Sequence, residues 1–167
     1  LNLANPLNTI IGNENLDLIE NHNFYLSFRD FDYATRSGYM FYGGGNYYSN
    51  QVVSFVEYDV NRKATTTYKN VEGTYNSWFG GRWNKSIKKE ANNYKFGFGL
   101  WGGYDLSKGF TQGEMFEANA LRLTPSVNFT YEYGELFTIN PTYNFTYNET
   151  KYSNNSNRNF NDWRFIF

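Results

Sequence analysis

At 167 residues the chain has the length of one domain, and it contains no cysteine, so neither a disulfide framework nor a thiolate metal site can be built. A formal net charge of −1 gives no electrostatic pull towards nucleic acid. Mean hydropathy is −0.69, and no run of about 18 apolar residues exists, which excludes helical membrane spans. Aromatics make up 22% of the chain, with 16 Tyr and 16 Phe, and Tyr and Trp favour membrane–water interfaces. Abundant Asn and Tyr with few long helix formers point to an all-β class.

The chain opens Leu1-Asn2-Leu3-Ala4-Asn5-Pro6, without a charged start, an apolar h-region or an initiator Met, so a mature or shortened chain is expected. Residues 1–19 are expected to be an irregular lead-in, with turn signals at Asn5-Pro6 and Gly12-Asn13. A first strand is predicted over His22–Phe31, with Phe24, Leu26 and Phe28 on one face. A second starts near Tyr39 and runs through Gly43-Gly44-Gly45 to Tyr58, with a separate hairpin at Tyr48-Ser49-Asn50 as the alternative. Because no helix follows the three glycines, they are not a phosphate-binding loop.

A third strand is predicted over Thr65–Trp83, a charged turn over Lys85–Asn93, and a fourth strand over Tyr94–Tyr104. Asp105–Asn119 is expected to be a longer loop. Two strands then form a hairpin around Gly134-Glu135. On the first, Leu121, Leu123, Pro125, Val127, Phe129, Tyr131 and Tyr133 alternate with polar residues. On the second, Phe137, Ile139, Pro141, Tyr143, Phe145 and Tyr147 do the same. Tyr152–Asn161 is expected to be a loop, and a seventh strand to begin near Asp162.

The alternation in that hairpin persists for more than ten residues per strand. Soluble strands average about 5–6 residues, whereas a strand tilted across a bilayer needs roughly 9–11. Apolar-out, polar-in alternation ending in aromatics marks an outer-membrane barrel wall. The expected fold is therefore all-β: an antiparallel up-and-down transmembrane β-barrel segment of about 7–8 long strands, spanning residues 1–167. The connections at 59–63, 105–119 and 152–161 share one end, and the two longest would lie outside the cell. Pro125 and Pro141 interrupt predicted strands, which calls for a bulge or a gap in pairing at each.

The wet parity of the hairpin supplies the best candidate surface: Arg122, Asn128, Glu132, Asn140, Asn144 and Asn148 would face a lumen. Each is more simply a hydrated wall residue than a ligand contact. Glu72, Glu132 and Glu149 fall on predicted strands and are expected on the lumen-facing wall. His22 is the single histidine, so no catalytic triad or histidine metal cluster is expected, and neither is enzymatic activity or a cofactor.

Several stretches resemble TonB-dependent receptors of the Bacteroidetes type. Gly12-Asn13-Glu14-Asn15-Leu16, followed by His22-Asn23-Phe24, is similar to the Asn-Pro-Asn-Leu-Lys-Pro-Glu segment before a barrel strand, although Glu14 replaces the first proline and the Lys-Pro pair is missing. Thr67–Gly73 resembles an Asn-Val-x-Gly strand start, and Leu123-Thr124-Pro125 a mid-strand proline. Phe137–Tyr143, running on to Ser153, is similar to late barrel strands of these receptors. The resemblance implies a bacterial outer-membrane location and TonB-driven uptake of a nutrient such as a siderophore or glycan. It implies as partners the outer-membrane lipid, the remaining barrel strands, a plug domain, the TonB system through an N-terminal part, and a surface lipoprotein. No plug is read in this chain. Two other readings stand: a small complete outer-membrane barrel with a structural or adhesin role, and a soluble carbohydrate-binding β-sandwich.

Overall fold

The computed structural model describes residues 8–154 and 160–166. The described residues are all-β, without a helix: β1 Asn8–Ile10, β2 Glu20–Asp32, β3 Ser37–Ser49, β4 Gln51–Tyr58, β5 Ala64–Val71, β6 Thr74–Lys89, β7 Asn92–Thr111, β8 Glu114–Tyr133, β9 Phe137–Ile139, β10 Thr142–Tyr152 and β11 Phe160–Ile166. The large sheet is antiparallel throughout, in the order β2-β3-β6-β7-β8-β10-β11, with β9 also pairing β8. It is an up-and-down wall and is not closed: β2 and β11 are its two edges.

One excursion interrupts the up-and-down order. Asn50, at φ 56°, ends β3, and Gly73, at φ 72°, precedes β6. Between them β4 and β5 form a hairpin that leaves β3 and β6 paired directly with each other. The predicted second and third strands are therefore each two strands, and the break at Tyr48-Ser49-Asn50 is the one realised. Residues that favour positive φ sit at both exits, because an ordinary L-residue there would strain the backbone.

The expected irregular lead-in is partly structured. β1 runs parallel to β5, the Asn13 side chain donates to the Tyr68 carbonyl at 2.9 Å, and Asp17 and Asn70 exchange hydrogen bonds. Residues 1–7 lie outside the described residues. β1, β5 and β4 form a second, three-stranded sheet. It meets the large sheet through Phe55, whose ring stands edge-on to Phe110 of β7 at 5.1 Å. Among the described residues the few buried side chains, Phe55, Val71, Thr74 and Ala118, lie on the elements that meet at this end.

The two longest strands correct two expected connections. Lys85–Asn93 is mostly strand, and the turn is confined to Glu90 and Ala91. Asp105–Asn119 is not a loop, because β7 and β8 run on as a hairpin to Gln112-Gly113. Both faces of that extension carry polar residues such as Ser107, Lys108, Glu117 and Asn119, so the period-2 hydrophobic signal fades although the backbone stays paired. Of the expected loop at Tyr152–Asn161, Tyr152 and Phe160–Asn161 are strand, and residues 155–159 lie outside the described residues.

The two prolines behave differently. At Pro125 the β7–β8 ladder continues, with Leu100 opposite Pro125. On its other side the β8–β10 register resumes unshifted beyond the proline, from Asn144 opposite Ser126 to Tyr147 opposite Leu123. The missing N–H is thus absorbed on the β10 side without a bulge. Asn140-Pro141 separates β9 from β10, and the Pro141 carbonyl accepts from the Phe129 N–H at 3.1 Å.

Candidate lumen wall and the recess at Gly103

Strand pairing sorts the side chains of the large sheet into two faces, because cross-strand partners share a face and neighbours alternate. One face carries Leu26, Phe28, Phe41, Phe79, Leu100, Phe98, Leu123, Val127 and Phe129. These side chains are largely uncovered: Leu26 is 71% exposed, Phe41 54% and Phe98 49%. A groove of about 540 Å³ runs among Leu26, Phe28, Phe41, Phe79, Phe98 and Leu100. Its lining on this face is hydrocarbon and aromatic, without the placed polar groups that orient a ligand.

The apolar belt is bounded by tyrosines. Tyr47, Tyr75 and Tyr104 mark one border, with the Tyr75 and Tyr104 rings stacked at 5.8 Å. Tyr94, Tyr131 and Tyr133 mark the other, with Tyr94 and Tyr131 stacked at 5.1 Å. The belt is slanted against the strand-to-strand direction. Its lower border climbs from Phe137 on β9 to Phe28 on β2, and its upper border moves the same way, by fewer residues, from Tyr147 on β10 to Tyr47 on β3. With a rise of about 3.3 Å per residue and about 4.8 Å between strands, the two borders correspond to slants of roughly 35–50°. From Tyr94 to Tyr104 on β7 the belt then measures about 25 Å perpendicular to its borders, the height of the apolar band of outer-membrane barrels.

The opposite face is polar. All six expected lumen residues lie on it, but only Arg122 and Asn148 are direct cross-strand partners. Asn128 stands opposite Gly97, and its Oδ1 occupies the space a Cβ on Gly97 would take. Asn144 is opposite Ser126. Asn140 lies in the β9–β10 break, where its Oδ1 accepts from Thr130 at 3.0 Å. Glu132 accepts from the Asn93 side chain at 2.6 Å and forms an ion pair with Lys95. Two expected wall carboxylates are elsewhere. Glu72 falls in the β5–β6 connection, and Glu149 shares the parity of Tyr147 on the belt side, where it pairs with Lys151 at 3.0 Å.

A recess of about 380 Å³ opens on the polar face around Gly103. Gly103 has Trp78 on one side across β6 and Arg122 on the other across β8. Trp101 and Asp105 lie two residues away on the same face of β7. The Arg122 guanidinium lies over the Trp101 ring, with Cζ 5.3 Å from the centroid. Asn148 extends the recess beyond Arg122, and Asn76, whose Oδ1 accepts from Asn46 at 2.9 Å, extends it beside Trp78. The Trp78 ring is steadied by Tyr25 at 5.7 Å and Tyr42 at 6.1 Å. The alternation found Arg122 and Asn148 but not the tryptophans. The usable signal was an aromatic on the wet parity between glycines, as Trp101 stands between Gly99 and Gly103.

Among the described residues no group of His, Asp or Glu is placed to hold a metal ion. Comparisons with family models, with curated proteins and with solved structures return no match.

Proposed function

We propose that the chain forms part of the wall of an outer-membrane β-barrel belonging to a TonB-dependent nutrient transporter. The carrying observation is the slanted, tyrosine-bounded belt on one face of a sheet whose other face is polar. Exposed apolar area of this extent is unfavourable in water, where burial is worth about 25 cal/mol per Å². Lipid covers it in this reading, while Arg122, Asn128, Glu132, Asn140, Asn144 and Asn148 hydrate the lumen. The three-stranded sheet meets β7 near Phe110, beyond the tyrosine border, and so does not act as the second layer of a soluble sandwich over the belt.

The edges support a larger barrel. In an antiparallel sheet of seven positions, β2 and β11 run in the same direction. Closing them on each other would pair them parallel, whereas an odd number of further strands keeps every pair antiparallel. In lipid, unpaired edge N–H and C=O groups cost several kcal/mol each, so both edges need partners. The short resemblances supply the transporter part of the proposal: a plug domain inside the completed barrel, TonB acting through it, and a surface lipoprotein at the end where β7 and β8 project.

The test is extraction and folding. The proposal expects a requirement for detergent, β circular dichroism, and altered gel migration only after boiling. Folded, monodisperse protein in plain buffer would overturn it.

A further inference from the structure

We infer that the recess at Gly103 binds a neutral saccharide, with Trp101 and Trp78 as stacking surfaces and Arg122, Asp105, Asn76 and Asn148 as hydrogen-bonding groups. The inference deepens the transporter proposal and rests on its reading of the polar face as the lumen.

Most glycines of this face make room for a neighbouring side chain. A Cβ on Gly44 would stand 2.8 Å from the Trp78 ring, on Gly80 2.2 Å from the Tyr42 ring, and on Gly99 2.5 Å from the Ser126 hydroxyl. Gly103 differs. Its nearest neighbours would be the Ser77 carbonyl and the Trp101 ring edge, both at 3.6 Å. A Cβ there would meet its neighbours only at ordinary van der Waals distance, at the edge of a recess bordered by two indoles and a guanidinium.

Ligand sites combine apolar and aromatic walls with a few placed polar groups. Arg122 offers only donors, Asp105 only acceptors, and Asn76 and Asn148 both, which suits hydroxyls that donate and accept. Arg122 makes no salt bridge among the described residues, and the Asp105 carboxylate on the same recess offsets its charge. A balanced pair disfavours a strongly anionic ligand such as a ferric catecholate. The hydrocarbon face of a sugar ring against an indole gives apolar contact without charge. Trp101, 36% exposed and held on one side by Arg122, presents such a surface in advance of binding.

The test titrates the folded full chain in detergent with maltohexaose and cellohexaose as neutral probes, and with pentagalacturonate and a ferric catecholate as anionic ones. Calorimetry and tryptophan fluorescence supply the readouts. Saturable binding of a neutral probe is expected, weakened about tenfold by Trp101→Ala, the loss of a stacking anchor. Gly103→Leu, which fills the recess without meeting backbone closer than 3.6 Å at its Cβ, is expected to weaken binding similarly while leaving circular dichroism and heat-modifiable migration unchanged. Binding of neither neutral probe, tighter binding of an anionic one, or unchanged affinity in both variants would overturn the inference. If the folded protein proves soluble without detergent, the lumen reading fails, and the same titrations still decide the recess.

Discussion

The Lys69 ammonium stands 3.4 Å above the centre of the Phe55 ring and 5.5 Å from that of Phe110. Phe55 is 5% exposed, and it fastens the β4–β5 hairpin to the far end of β7. Truncating it leaves a cavity at the one densely packed place in the described chain. Phe55→Ala is expected to cost about 3–5 kcal/mol locally, and Lys69→Met about 0.5–2 kcal/mol. Hydrogen exchange in β4 and β5 measures both. The amides of the belt strands are expected to keep their protection, since Phe55 meets the large sheet at Phe110, beyond the tyrosine border.

Leu100 and Thr124 lie on neighbouring strands but opposite faces. With lipid on the Leu100 side, Leu100→Arg places a charge near the middle of the belt and is expected to cost about 2–4 kcal/mol in folding into vesicles. Thr124→Arg adds the same charge to the polar face and is expected to cost much less. Urea titrations of both variants in lipid decide the point. Equal costs would contradict the assignment of faces.

Gly44 is held between two strands and a ring. A Cβ there would stand 2.7 Å from the Phe24 carbonyl oxygen as well as 2.8 Å from Trp78. The backbone oxygen cannot yield without opening the β2–β3 ladder. Gly44→Ala is therefore expected to destabilise by about 1–3 kcal/mol through overpacking. It should also change the near-ultraviolet dichroism of the Tyr25–Trp78–Tyr42 cluster.

Asp32 closes the β2–β3 turn beyond the belt residues of β2. The Thr35 hydroxyl donates to it at 2.7 Å and the Ala34 N–H at 2.8 Å, and these bonds hold its carboxyl below the ordinary aspartate value of 3.8. Because the folded value lies below the unfolded one, the turn's stabilisation is complete above about pH 4 and is lost as pH falls through the folded value. Exchange at the Ala34 and Thr35 amides should accelerate over that acid range. Asp32→Ala should exchange fast throughout.

Parallel pairing of β2 with β11 is the arrangement that simple closure would require. Cysteines at His22 and Trp163, which lie on the belt side of the two edge strands opposite the upper-border residues Tyr47 and Tyr147, report on it. Disulfide geometry needs Cα atoms within about 7 Å, so no His22→Cys to Trp163→Cys bridge is expected in the folded protein. Efficient bridging within one chain would mean that seven positions close alone and would remove the need for further strands.

The sequence by itself determined the class and the faces. Period-2 alternation over long strands set the two faces of β7, β8 and β10 correctly, Glu149 at the end of β10 excepted, because side-chain direction in a strand depends on position alone. The polar parity holding Arg122, Asn128 and Asn148 was legible for the same reason. The tertiary structure alone decided which strands are neighbours. Nothing in the local pattern shows that β3 pairs β6 across the β4–β5 excursion, since pairing partners are chosen by long-range register. The extension of β7 and β8 past Asp105 was hidden because alternation fades where both faces meet water. The recess was hidden too: Trp78, Gly103 and Arg122 are far apart in the chain and become adjacent only when β6, β7 and β8 are laid in register.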